Sequence, residues 1–307
     1  MRKSAVYRCF LVAALFLCVT TLYFQEIHPQ FRIPVTVDEV RLDFSATDFS
    51  NHPLNDLTVS DLRLLDNNKP PKKILRFTHQ TDLPLRIGVL VDTSRSMLGG
   101  ALMRNQKIAN MLSEHILRST TDQVFIAEFD FSLQILQPWS SKTEDLDRAI
   151  HKVGWDANSR YGGTAIYDSI YRAVRDQFVG QPALTADTAN SILLFSDGED
   201  TWSHAEMKDV IEICQRAHAA IYVDAGEKTL RELAASTGGQ VFYAVDQPTA
   251  LADLKTIENA LRNRYSLVYT PSNIKNDGKF HSIKLTTSKN GLITVRSGYY
   301  APGKADQ

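Results

Sequence analysis

Cysteine is nearly missing from this chain: 307 residues contain three, Cys9, Cys18 and Cys214. The first two sit in an apolar N-terminal stretch. The remainder therefore holds one thiol, and no intrachain disulfide can form there. Cys214 lies on a helical pattern and reads as a small buried residue. An excess of charge of one sign is also absent. The net charge is −1, and losing Arg2, Lys3 and Arg8 with residues 1–25 would bring it to about −4. Without a basic excess the chain is not a general nucleic-acid binder. The 8 histidines form no H-E-x-x-H pattern, so a zinc-protease helix is excluded. No G-x-S-x-G elbow gives a serine a nucleophile's setting. No P-loop or dinucleotide G-x-G-x-x-G occurs. Internal repeats and low-complexity tracts are missing too. These absences predict a protein that is not an enzyme.

What is present begins with a targeting segment at 1–25. Arg2, Lys3 and Arg8 precede Cys9–Phe24, a stretch without a charge. Its length lies between a signal-peptide core of roughly 7–15 residues and a spanning helix of about 20. Val19-Thr20-Thr21 is a tolerable cleavage site, and Leu17 is too large for a lipoprotein box before Cys18. The segment reads as a signal peptide or, by preference, a signal anchor. Either way the basic end stays inside and the remainder is exported, to the periplasm or cell surface. Beyond it the composition is that of a globular chain, 43% apolar and 22% charged.

Residues 31–81 carry short β patterns, Val35–Val37, Val40–Phe44 and Leu62–Leu65, separated by turn-rich pieces. From 82 to 248 strand and helix patterns alternate. Strands are expected at Arg86–Val91, Val124–Phe129, Leu133–Leu136, Ser191–Phe195, Ala220–Val223 and Val241–Tyr243. Helices are expected at Ala101–Leu117, Thr164–Phe178, Ala205–Ala217 and Leu230–Ser236. The two strands before Ser140 are so close that they pair as a hairpin. Such alternation predicts an α/β fold: a doubly wound, mostly parallel sheet with helices on both faces. A linking helix at 249–264 follows, and 265–302 returns to β with Tyr265–Tyr269, Ser282–Thr286 and Leu292–Arg296. Each β flank alone has too few strands for a sandwich. The flanks are therefore expected to join in one all-β module, with the α/β domain inserted in it.

The chemistry concentrates at the end of the first α/β strand. The apolar run Arg86–Val91 leads into Asp92-Thr93-Ser94-Arg95-Ser96, which sets a carboxylate and two hydroxyls at alternate positions. Such a set can bind one face of a small hard cation. Gly162-Gly163-Thr164 precedes a helix, and Ser191–Ser196 runs into Asp197-Gly198. Taken singly, these are also ordinary turn and cap residues: Asp92 can cap the next helix, and Gly162-Gly163 can be a plain turn.

Together, D-x-S-x-S, then Thr, then Asp resembles the metal-ion-dependent adhesion site of von Willebrand factor A (VWA) domains. The flanks are similar to those of VWA-related proteins described from acidobacteria, through Leu57–Pro70, Leu83–Ser94, Tyr265–Pro271 and Gly298–Pro302. The resemblance implies a VWA or Rossmann-like domain. It implies that Asp92, Ser94, Ser96, Thr164 and Asp197 hold a divalent cation, Mg²⁺ or alternatively Mn²⁺ or Ca²⁺, directly or through water. It further implies that a protein or peptide partner completes the shell with an Asp or Glu carboxylate. Arg95, where the family often has a small residue, Gly163 and Glu199 would rim the ligand site. Glu199 and Asp200 also read as helix-entry charges, Asp130 and Asp224 as loop-shaping residues, and Trp139, Trp155 and Trp202 as packing or rim. The expected function is an extracytoplasmic, membrane-tethered binding module. The alternatives are a structural envelope component with a silent site, or a metal-dependent hydrolase using Asp92 and Asp197.

Overall fold

A computed structural model describes residues 39–97, 100–115, 117–118, 121–154, 163–181, 188–196, 198–224, 228–242, 247–273 and 277–301. The targeting segment, the strand expected at Val35–Val37, Trp155, Gly162, Asp197 and Tyr243 lie outside them. Among the described residues no helix is long and apolar enough to cross a membrane.

Six strands form the central sheet: β4 (Leu85–Asp92), β5 (Gln123–Phe129), β6 (Leu133–Ser140), β7 (Ala189–Phe195), β8 (Ala219–Asp224) and β9 (Val241–Phe242). Their order is β6-β5-β4-β7-β8-β9. All neighbours run parallel except β6, which returns antiparallel beside β5 as the short connection requires. A parallel strand covered on both faces must be apolar throughout, and every position of β4 is buried. Alternate residues serve opposite faces. Ile87, Val89 and Val91 join α1 (Gly100–His115), α2 (Thr143–Ile150) and α6 (Gln247–Arg262) in one core. Leu90 and Phe125 join α3 (Ile166–Ala173), α4 (Met207–Arg216) and α5 (Lys228–Thr237) in the other. Gly88 makes room for Phe125, since a Cβ there would lie 2.3 Å from the ring.

Two details differ from the expected elements. Helix α2 was hidden by Glu144, Asp145, Asp147 and Arg148, although Leu146, Ala149 and Ile150 bury one stripe. The helix expected over Thr164–Phe178 begins at Ile166 and widens into a π-turn over Val174–Val179. That turn serves Arg86, which is 2% exposed in the apolar strand β4. Its guanidinium donates to the carbonyls of Gln177 (3.2 Å) and Gln181 (3.1 Å) and stacks 4.1 Å from Trp139. Burial lowers its pKa to about 10, so it remains a cation, held at the negative end of the helix.

The flanking strands form two antiparallel sheets. One has the order β12-β1-β10-β3 and the other β13-β11-β2. Here β1 is Val40–Thr47, β2 Leu62–Asp66, β3 Lys73–Gln80, β10 Arg264–Thr270, β11 Phe280–Thr287, β12 Leu292–Val295 and β13 Gly298–Tyr300. Strands from before and after the α/β part pair directly: Leu42 faces Leu267, and Phe44 faces both Tyr265 and Val295. Both sheets share one core that includes Leu42, Phe44, Leu64, Leu267, Tyr269 and Leu285, which makes them a sandwich.

Candidate metal centre

Strand β4 has β5 on one side and β7 on the other, so the chain reverses its winding at β4. Open α/β sheets open a crevice at such a point, beyond the carboxyl ends of the strands. Asp92 ends β4 there and is 0% exposed. Its carboxylate is fixed at both oxygens. The Ser94 N–H donates to Oδ1 at 2.8 Å, and the Ser196 hydroxyl donates to Oδ2 at 2.6 Å. Thr93 anchors the same loop to β5, its N–H donating to the Phe129 carbonyl at 2.8 Å. Ser94 is buried, Ser96 is exposed, and their hydroxyl oxygens lie 3.2 Å apart. One carboxylate and two hydroxyls therefore meet on one short loop.

Thr164 is buried on the loop before α3. Two loops hold that segment. The Thr201 and Trp202 N–H groups donate to the Thr164 carbonyl (2.9 and 3.1 Å), the Thr164 N–H donates to Thr201 Oγ1 (3.0 Å), and the Ala165 N–H donates to the Asp130 carbonyl (2.7 Å). Gly163 is buried beneath Trp202, whose ring would stand 3.1 Å from an added Cβ. Trp202 as a residue is 58% exposed, so it both packs and presents a surface. Trp139 packs in the core against Phe125 and Phe178. Asp200 caps α3, accepting from the N–H groups of Tyr167 (2.9 Å) and Ser203 (3.0 Å). Asp168 reaches back to the N–H groups of Ala205 and His204. Burial opposes its ionisation, but these donors outweigh it and lower its pKa. Arg95 and Glu199 are exposed. Asp197 lies outside the described residues, so the structure brings together Asp92, Ser94 and Ser96, with Thr164 on the adjoining loop.

Sequence reading missed Ser196. Its signal was its place, the first residue after β7 and directly before Asp197. Its hydroxyl donates to Asp92 and accepts from the Gly198 N–H at 3.2 Å, which ties the third loop to the first. Partners that orient a ligating carboxylate typically matter 10–100-fold for affinity. Ser196→Ala is expected to weaken Mg²⁺ binding by roughly that factor with little change in circular dichroism. Calorimetric titration checks it, and unchanged affinity would remove Ser196 from the site.

The donor set fits a hard divalent cation. Hydroxyl and carboxylate oxygens suit Mg²⁺, Mn²⁺ or Ca²⁺, whereas imidazole and thiolate favour zinc or copper. The Ser94 N–H and the Ser196 hydroxyl that fix the Asp92 carboxylate are both neutral donors. Among the described residues no cluster of three or more His, Cys, Asp or Glu could hold an ion, and the site depends on hydroxyls instead.

The family profile described as the von Willebrand factor type A domain matches residues 87–199. No curated protein matches. Several solved structures are similar. One is an aerotolerance-related membrane protein from Bacteroides fragilis, at 16% identity and TM-score 0.48, covering 58% of this chain and 98% of that one. Another is proximal thread matrix protein 1 from the mussel byssus, described with a zinc occupied MIDAS motif. It gives 14% identity, TM-score 0.47 and 59% and 48% coverage, so the match spans about half of that protein. The SpRpn10 VWA domain gives 15%, 0.43, and 56% and 94%. At such identities no property of this chain is taken from them. The profile match stops short of both β flanks and does not show the acidobacterial likeness. The match over 87–199 falls on the α/β part of the chain, the stretch that holds the loops at the sheet's carboxyl edge and that antiparallel strands from both ends flank.

Proposed function

We propose that the chain is an exported, membrane-tethered binding module that engages a protein or peptide ligand through a divalent cation. The observation that carries this reading is the fully buried Asp92 carboxylate, pinned at both oxygens beside the Ser94 and Ser96 hydroxyls at the carboxyl edge of the sheet. Asp92, Ser94, Ser96, Thr164 and Asp197 hold the ion, with Mg²⁺ the preferred candidate. The cation would supply an electrophilic position for an Asp or Glu carboxylate of the partner. Two protein carboxylates balance a divalent charge, so an anionic ligand is attracted rather than repelled. Arg95, Gly163 and Glu199 stand at the rim. The uncharged stretch Cys9–Phe24 provides the tether, and the β flanks with the linking helix form the support that carries the domain. The role in this reading is binding, with the cation and not a side chain meeting the ligand's carboxylate.

The test is cross-linked capture by the full chain from envelope fractions in Mg²⁺ and in EDTA. Capture of an envelope protein that is lost in EDTA, and lost in Asp92→Ala, supports the reading. Capture indifferent to both would overturn it.

A further inference from the structure

Away from the metal-bearing edge, an open cleft lies where the sandwich meets the α/β domain. Three guanidinium groups line it: Arg41 on β1, Arg264 at the start of β10, and Arg296 just after β12. Only one carboxylate does so, that of Asp43. Its charge is already engaged. Arg41 Nε donates to Oδ1 at 2.9 Å, and His218 Nδ1 stands 3.4 Å from Oδ2. Burial opposes the ionised form of Asp43, but His218 and Arg41 outweigh it and hold the carboxyl below its usual range.

Arg264 has no charged partner of its own among the described residues, and Arg296 shares the single carboxylate of Asp43 with Arg41 and His218 and lies 5.7 Å from the Tyr299 ring. Among the described residues Arg264 makes no side-chain hydrogen bond or ion pair. Arg296 donates from Nη2 to the Arg41 carbonyl at 2.8 Å, while its buried Nε has no partner. A buried donor without an acceptor is costly. Three guanidinium groups against one carboxylate leave an excess of two positive charges. The walls are preformed. The Ser297 N–H donates to the Ala235 carbonyl (3.0 Å), the Tyr300 N–H to Gln215 Oε1 (3.3 Å), and Gln240 Nε2 to Thr294 Oγ1 (2.7 Å). Gly238, at φ +83°, lets the chain pass under Arg296.

We propose that this cleft binds a phosphate group, as the free ion or as a phosphomonoester, with Arg264 and Arg296 as its main contacts. The guanidinium fork matches phosphate oxygens, and a dianion matches the excess charge. This site is separate from the metal centre and stands or falls without it.

The experiment is calorimetry on the full chain in EDTA, at constant ionic strength set with chloride. The probes are inorganic phosphate, glycerol 3-phosphate and acetate. Saturable 1:1 binding of either phosphate compound is expected, with acetate far weaker. Tighter binding of glycerol 3-phosphate would name an ester as the natural form, and tighter binding of inorganic phosphate would name the free ion. Arg264→Gln and Arg296→Gln should each weaken binding at least roughly tenfold, and Asp92→Ala should leave it unchanged. Should Arg296→Gln fail to fold, Arg264→Gln decides alone, with circular dichroism as its control. No saturable binding, acetate as tight as phosphate, or an Arg264→Gln variant of parental affinity would overturn the proposal.

Discussion

Asp92→Ala should abolish divalent-cation binding and leave a folded protein. A unit charge pair at 4 Å contributes about 4 kcal/mol at an effective dielectric near 20, and every 1.4 kcal/mol is tenfold in affinity. Losing one of the site's carboxylates is therefore expected to weaken Mg²⁺ by more than about 100-fold. Ser94→Ala and Thr164→Ala each remove a neutral oxygen that water can partly replace, so their losses should be smaller. The alanine at 92 also orphans the Ser94 N–H and the Ser196 hydroxyl. That costs about 1–3 kcal/mol of stability. Asp92→Asn retains an acceptor oxygen and should be the more stable of the two while still binding poorly. Titration with Mg²⁺ and Mn²⁺, beside circular dichroism of each variant, tests the ranking. Asp92→Ala binding either ion as tightly as the parent would refute the metal reading.

The first loop was legible because its chemistry is local. An apolar run ending in Asp92, with hydroxyls two and four residues on, is compressed into one stretch of chain. The sheet was legible for the same reason, since burial on both faces leaves no polar side chain from Leu85 to Val91 of β4 except where a partner waits. Arg86 is that exception, and its partners are the carbonyls of Gln177 and Gln181. Their direction comes from a π-turn that no local pattern encodes. Strand β3 escaped notice because none of its positions is fully buried and it carries Lys73 and Arg76 on its outer side. It is specified by pairing with β10, nearly 200 residues later. Ser196 escaped because its role is a hydrogen bond to a residue 104 positions away. What stayed hidden depends on partners distant in sequence.

The largest loss of stability is expected from Asp122, another residue of this hidden kind. It sits before β5 and is 0% exposed. Its carboxylate receives Arg262 Nη2 at 2.8 Å and Nη1 at 3.3 Å, and the N–H groups of Leu85 and Arg118 at 2.9 Å each. Arg262, at the end of α6, also binds Glu258 Oε1 (2.9 Å) and the Leu83 carbonyl (3.1 Å). One buried pair thus ties the helix leading into β10 to the starts of β4 and β5. Breaking such a pair from one side costs about 3–5 kcal/mol, because the remaining charge stays buried. Glu258 still faces Arg262, so Asp122→Ala should lie near the lower value, with Tm reduced by roughly 6–12 °C. Arg118→Ala, which loses a half-exposed pair to Glu258, should cost under about 1 kcal/mol. The pH dependence has a definite sign. Burial alone would raise the Asp122 pKa, but the bonds from Arg262, Arg118 and Leu85 prevail and lower it. Its stabilisation is thus complete above the unfolded value of about 4 and is lost as pH falls through the lower folded value. Urea unfolding of the parent and of Asp122→Asn from about pH 7 down to about pH 3 measures this. The parent should lose stability on acidification more steeply than the variant, and parallel curves would exclude Asp122 as the source.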